Sequence, residues 1–289
     1  MKHTLENQFL KVTVNEKGAE LSSIWHKINQ IEHLWQADPA WWSWHAPILF
    51  PVVGRCLEDK IFIDKQSYPM LKHGFARKSI FNLDENTNNQ LSFILQRSPD
   101  TSACYPFDFE LKISYTLSEN TLYHSFTVIN RDTIPLPFSI GGHPAFTVPF
   151  FKGESFSDYH IEFEHQEILQ RHYINQDGYF NGKTEVISQN GKIDLHENLF
   201  SKDALIFKTH RSRSLKLKSK NHSRFIQVDF PDFPYLGIWT KPGAPFVCIE
   251  PWIGCADTVD KNLDFYHREG TLSLPAGKIF NAKFSITFA

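Results

Sequence analysis

The sequence predicts an all-β protein built as a large antiparallel β-sandwich. Apolar and polar residues alternate with period two along most of the chain, turn-forming clusters separate the alternating runs, and no window sustains a helical period. Aromatic residues, chiefly Phe, make up 15% of the chain and fall on the alternating faces, as two sheets packed about 10 Å apart require.

Leu10, Val12 and Val14 share one face and run into the turn Asn15 to Gly18. Leu91, Phe93 and Leu95 follow an Asp/Asn-rich stretch, Asp84 to Asn89, which reads as a turn. Phe109, Leu111, Ile113, Tyr115 and Leu117 alternate, Ser118 to Asn120 reverses the chain, and Leu122, His124, Phe126 and Val128 return as the second arm of a hairpin. Ile226, Val228 and Phe230 form a further strand. Phe280, Ala282, Phe284, Ile286 and Phe288 make the last, after the turn at Pro275 to Gly277. Arg211 to Lys220 clusters basic residues but alternates them with Leu215 and Leu217, which predicts the solvated face of an edge strand whose lysines block further pairing. No linker, composition shift or fixed-period repeat divides the chain, so residues 1–289 are expected to form a single domain.

A formal net charge of -2 offers no positive field for a nucleic-acid backbone or an anionic membrane surface, and a small neutral or weakly charged ligand fits better. The most apolar stretch, Ala40 to Gly54, is interrupted by Ser43, His45, Pro47 and Pro51 and falls short of the ~18 apolar residues that a membrane span needs. Cys56, Cys104, Cys248 and Cys255 are too sparse for a disulfide framework and form no Cys-x-x-Cys pair. With no apolar stretch of signal-peptide type near Met1, reduced thiols in the cytoplasm are the expectation. The oligomeric state is not legible.

Two segments carry the chemistry. Phe138 to Phe146 ends a strand in Gly141 and Gly142, which permit close approach to the backbone, and then presents His143 before Pro144, which biases it toward an extended conformation. Such an imidazole serves either as a proton donor and acceptor or as a hydrogen-bonded core histidine. In Phe246 to Trp252 a carboxylate, Glu250, interrupts an apolar strand on the face of Phe246 and Cys248. Burial makes a carboxylate a better base, whereas a structural one needs a cationic partner.

Arg55 after Gly54 offers a fork of donors to sugar hydroxyls or a phosphate, His73 and Arg77 flank Gly74, and Asp203 either accepts hydroxyls or enters a strand. Trp35, Trp41, Trp42 and Trp44 precede Arg55, while Trp239 and Trp252 flank the Glu250 strand. Most tryptophans fill a core, but one or two suit the apolar face of a pyranose, Trp239 first among them. Gly-x-Ser-x-Gly, phosphate-loop and His-Glu-x-x-His patterns are absent, and His160 and His165, five apart on one expected strand, point to opposite faces. No metal and no cofactor is expected.

Taken in order, Gly54-Arg55, His73-Gly74, Gly141 to Pro144, Asp203 and Glu250 to Trp252 resemble the aldose 1-epimerase (galactose mutarotase) superfamily in its LacX-like branch, across nearly the whole chain. The resemblance implies the galactose mutarotase-like sandwich and an isomerase that interconverts the anomers of a sugar, with His143 as acid, Glu250 as base, and Arg55, His73 and Asp203 holding substrate. Asp59-Lys60 stands where the galactose-specific branch has Asn-Arg, and Gly142 precedes His143 where that branch has Asn, which leaves the sugar open. The stretch His73 to Arg77 is similar to one in hexose-6-phosphate mutarotases and makes Arg77 the candidate for a phosphate. On this reading acid and base stand on either side of the sugar, with room for one ring between them. A non-catalytic carbohydrate-binding sandwich is the alternative of another class, and a polysaccharide-cleaving sandwich enzyme is a third.

Overall fold

The computed structural model describes residues 1–259 and 263–289. Two antiparallel sheets dominate it. One has nine strands, in the order Lys192–Asp194, Tyr159–Phe163, Ser214–Ser219, Phe225–Asp229, Ile279–Phe288, Thr121–Asn130, Phe109–Ser118, Gln90–Gln96 and Asn82–Asn86. The other has eight: Phe180–Ser188, Leu169–Ile174, Leu205–Phe207, Tyr235–Trp239, Phe246–Ile253, Ile140–Gly142 and Ile48–Leu49 in order, with Ala145–Thr147 also paired to Phe246–Ile253. Lys2–Glu6, Leu10–Asn15, Glu20–His26 and Ile31–Glu32 form a smaller sheet at the N-terminal end. Among the described residues the α-helix content is one turn, Pro99–Ser102, capped by the Ser98 side chain accepting from the Thr101 N–H.

The alternation read from the sequence sets the register. Phe109–Ser118 pairs with Thr121–Asn130 from Phe109 opposite Asn130 to Ser118 opposite Thr121, so Leu111, Ile113 and Tyr115 face inward with Phe126 and Val128. The two sheets meet across this aromatic layer: Phe163 and Phe207 lie 5.7 Å apart between ring centres, Phe50 and Phe109 5.4 Å. Gly142 lets the sheets close, since a methyl group there would come within 2.7 Å of the Phe284 ring. The glycine pair thus serves contact between chain segments rather than access for a ligand. His124 is a core histidine, stacked on Phe126 at 4.4 Å, and burial pushes its pKa down to about 3.

Three local expectations are corrected. Asp84 to Asn86 belong to the edge strand Asn82–Asn86, paired to Gln90–Gln96, so the turn shrinks to Thr87 to Asn89. Ser214–Ser219 is not an edge strand, because it pairs with Tyr159–Phe163 on one side and Phe225–Asp229 on the other. Its lysines do lie on the outer face, where Lys218 meets Glu162 at 2.7 Å. His165 lies beyond the strand Tyr159–Phe163 that carries His160, so the two do not share a strand. Among the described residues no helix is long and apolar enough to cross a membrane.

Candidate active site

Phe246–Ile253 runs through the middle of the eight-stranded sheet with every residue buried. Glu250 sits there opposite Gly237 and is 2% exposed. On the other flank Ile140–Gly142 and Ala145–Thr147 both pair with that strand, and the chain breaks between them at His143 and Pro144. The freed Pro144 carbonyl accepts from the Ile249 N–H at 3.1 Å, which keeps the interruption tied to the strand beside Glu250. The result is a contact between residues 107 positions apart: His143 Nε2 lies 3.0 Å from Glu250 Oε2. His143 Nδ1 is buried and has no protein partner. The expectation of a ring's width between the two is corrected, since the side chains touch.

Both form the floor of an open-mouthed cavity. His73 lies in its wall, with ring centre 5.8 Å from that of His143 and the planes perpendicular. The Gly54 N–H donates to His73 Nδ1 at 3.2 Å, and the His73 N–H donates to the Gly54 carbonyl at 2.8 Å. Nδ1 therefore acts as an acceptor, which leaves the ring proton on Nε2. Burial, helped by the nearby Lys72, His143 and Arg77, holds the His73 pKa well below its ordinary value, so the ring is a neutral donor. The local turn needs a left-handed backbone at His73 (φ 67°) and Gly74 (φ 71°), and a methyl group on Gly74 would fall 2.2 Å from the Phe50 carbonyl oxygen.

Aromatic faces enclose the acid-base pair. Trp42 stacks on His143 at 4.9 Å, Trp239 meets it edge-on at 6.2 Å, and both indoles line the cavity together with Trp252. Trp42 is held from behind by the Trp35 Nε1–H donating to its carbonyl at 2.9 Å. The Trp252 indole lies across Gly141 and Gly237, where methyl groups would come within 2.7 Å and 2.6 Å of it. Three tryptophans therefore face the cavity, where the sequence singled out Trp239.

The polar candidates divide. Arg77 lines the cavity with its guanidinium 5.2 Å over the Trp44 ring; one NH2 donates to the Lys72 carbonyl at 2.7 Å, while its buried Nε has no partner. Lys72, which sequence reasoning passed over, lines the same wall; its place beside His73 and the turn glycine was the available signal. Asp203 lies exposed at the rim, with a left-handed backbone (φ 72°) and its carbonyl bound by Arg171 at 2.9 Å. Its Oδ1 accepts from the Ala204 N–H at 2.7 Å, so it enters the strand Leu205–Phe207 and faces the cavity at once.

Arg55 departs from expectation: its guanidinium does not line the cavity but pairs with both oxygens of Asp59 at 2.8 Å and donates to the Asp177 carbonyl at 3.0 Å. The Asp59 partner, four residues on, was visible in the sequence. One ligand atom each from His143, Cys248 and Glu250 lie within 4.8 Å of one another, a donor set that no local spacing of histidines announces.

The aldose 1-epimerase family model matches residues 1–270 of the chain. The chain is 34% identical over 267 residues to "Protein LacX, chromosomal" of Lactococcus lactis subsp. lactis, covering 89% of each sequence. Among solved structures it is similar to a galactose mutarotase related enzyme from Lactobacillus acidophilus, with TM-score 0.96, 33% identity, and coverage of 100% of this chain and 97% of that one. A galactose mutarotase-like protein from Lactobacillus casei ATCC 334 matches with TM-score 0.94, 32% identity and full coverage of both chains.

Proposed function

The chain belongs to the aldose 1-epimerase family, and from that premise we propose that it interconverts the α and β anomers of a hexose by acid-base ring opening, with Glu250 as base and His143 as acid. The observation that carries the reading is the 3.0 Å contact between these two buried side chains at the floor of an aromatic-walled cavity.

The chemistry explains why the pair should touch rather than flank the sugar. The hydroxyl that loses its proton, O1, and the ring oxygen that gains one, O5, are bonded to the same carbon, so an acid and a base that serve both must be neighbours. Glu250 takes the O1 proton while His143 Nε2–H gives its proton to O5; the C1–O5 bond breaks as C1 and O1 form a carbonyl. The open chain turns about C1–C2, and closure on the other face of C1 returns both protons to their origins. The two side chains end each passage as they began. Each proton transfer contributes about 10²–10⁴-fold, which needs neither metal nor nucleotide.

The surroundings support these roles. Trp42 fixes the imidazole plane, and Trp239 and Trp252 offer apolar faces to the ring. His73, a neutral Nε2–H donor, suits an oxygen near the reacting carbon, and Asp203 at the rim suits hydroxyls away from it. Arg55 takes no step here, because Asp59 engages its guanidinium. The test is NMR exchange between anomers: acceleration above buffer that saturates with sugar supports the proposal, whereas saturable binding without acceleration makes the chain a carbohydrate-binding protein.

A second reading rests on Arg77 and Lys72. An arginine with an unpartnered buried Nε beside a lysine on one cavity wall suits an anionic substituent, which makes a hexose 6-phosphate the alternative substrate. Rates on glucose, galactose and their 6-phosphates decide it, and Arg77→Gln should lower the ratio of phosphorylated to free-sugar turnover about tenfold or more if the phosphate is read there.

A further inference from the structure

Cys248 is left unused by those steps. It lies two residues before Glu250, fully buried on the same face of the strand. Its sulfur belongs to the group of three ligand atoms within 4.8 Å of one another, of which His143 Nε2 and Glu250 Oε2 are already 3.0 Å apart.

We propose that His143, Cys248 and Glu250 form a site for a soft divalent cation, Zn²⁺ or Cd²⁺, whose binding locks the acid-base pair. Imidazole, thiolate and carboxylate are the donors such ions select, with bonds of about 2.0–2.3 Å in tetrahedral geometry. At those bond lengths two ligands of one ion stand about 3.3–3.7 Å apart. His143 and Glu250, 3.0 Å apart, need to part slightly, and the Cys248 sulfur lies within 4.8 Å of its two partner ligand atoms. A fourth position is left for water or a sugar hydroxyl from the cavity that His143 and Glu250 line. Charge favours the arrangement: a thiolate and a carboxylate with a neutral imidazole carry two negative charges and cancel the ion, so the buried site becomes neutral. Lys72 and Arg77, the cations on the cavity wall, oppose entry but hold none of the three ligands.

Binding breaks the S–H bond, forms one bond from the metal to each of sulfur, nitrogen and oxygen, and releases the thiol proton to solvent; an imidazole proton on Nε2 moves to the unpartnered Nδ1, so the ring stays neutral. No electrons are exchanged. Because a proton leaves the thiol when the metal binds, uptake should strengthen as pH rises.

The experiment titrates the whole protein with Cd²⁺ and follows the ultraviolet thiolate-to-cadmium absorption. The expected result is saturation at one equivalent, reversal by EDTA, and loss of the band in Cys248→Ala, which keeps Cys56, Cys104 and Cys255 as an internal control. His143→Asn and Glu250→Gln should each weaken uptake about tenfold or more. A band that persists in Cys248→Ala, or none in the parent at excess Cd²⁺, overturns the site; Cys248→Ser answers the same question if the alanine variant does not fold. Inhibition rests on the mutarotase reading: Cd²⁺ should abolish anomer exchange in the parent and spare it in Cys248→Ala, whose metal-free turnover stays within about twofold of the parent's. A band lost in Cys248→Ala from a protein without mutarotase activity keeps the site and rejects the activity instead.

Discussion

His143 Nε2 and Glu250 Oε2 lie in direct contact, 3.0 Å apart, in a protein that places them on neighbouring stretches of one sheet. Either side chain alone has a bland explanation. Together, buried and opening on a cavity, they form an acid-base couple whose removal has a measurable consequence on each side.

Glu250→Gln keeps the size of the side chain and removes its basicity. Turnover measured by NMR exchange between anomers is expected to fall about 10³-fold or more, while sugar binding by calorimetry changes little. Near-parental turnover would remove Glu250 from the mechanism.

His143→Asn is expected to cause a loss of the same order in kcat. Because the two groups act as a unit, the double variant should lose little more than either single one. A change confined to KM would move the acid to another residue.

Trp42→Ala leaves the imidazole without the indole stacked on it at 4.9 Å. A misplaced acid costs about 10–10² in turnover, and Trp42→Phe, which restores a flat ring, should recover part of it. Equal rates in the two variants would show that the stack does not position the acid.

Gly74→Ala tests the turn that presents His73. A methyl group would stand 2.2 Å from the Phe50 carbonyl on a residue with φ 71°, and urea unfolding is expected to show a loss of about 2–4 kcal/mol. Stability equal to the parent's would mean that the turn relaxes freely.

Stability should depend on pH through the core histidines. Burial holds His124 and His33 near pKa 3, below the ordinary 6.5. The unfolded chain binds protons that the folded chain refuses, so stability falls as pH drops below about 6.5 and goes on falling until about 3. At pH 5 one such histidine costs about 1–2 kcal/mol, and His124→Leu should lessen the fall between pH 7 and pH 5 by that amount. An unchanged slope would assign the effect elsewhere.

How far the sequence could be read follows from the range of each interaction. Alternation is local, so the strands Phe109–Ser118, Thr121–Asn130 and Ile279–Phe288 were legible, as were Glu250 in its apolar run and His143 after two glycines. Partner choice is not local. Ser214–Ser219 looks the same whether its lysines guard an edge or coat the outside of an interior strand, and only the pairing with Tyr159–Phe163 and Phe225–Asp229 decides. Trp41, Trp42 and Trp44 share one local pattern; the Trp35 N–H bond to the Ala145 carbonyl at 2.9 Å brings that segment beside His143, a contact across 110 residues. Arg55 is the opposite case: its partner Asp59 stands only four residues on, and this local ion pair takes up the fork of donors.

The amide of Gly54 occupies one nitrogen of His73. A ring pinned in that way cannot swap tautomers as acidity changes without forfeiting the backbone contact, so it presents the same donor to the cavity across the physiological pH range. Any bell in the rate against pH is then left to the couple at the cavity floor and to the sugar itself.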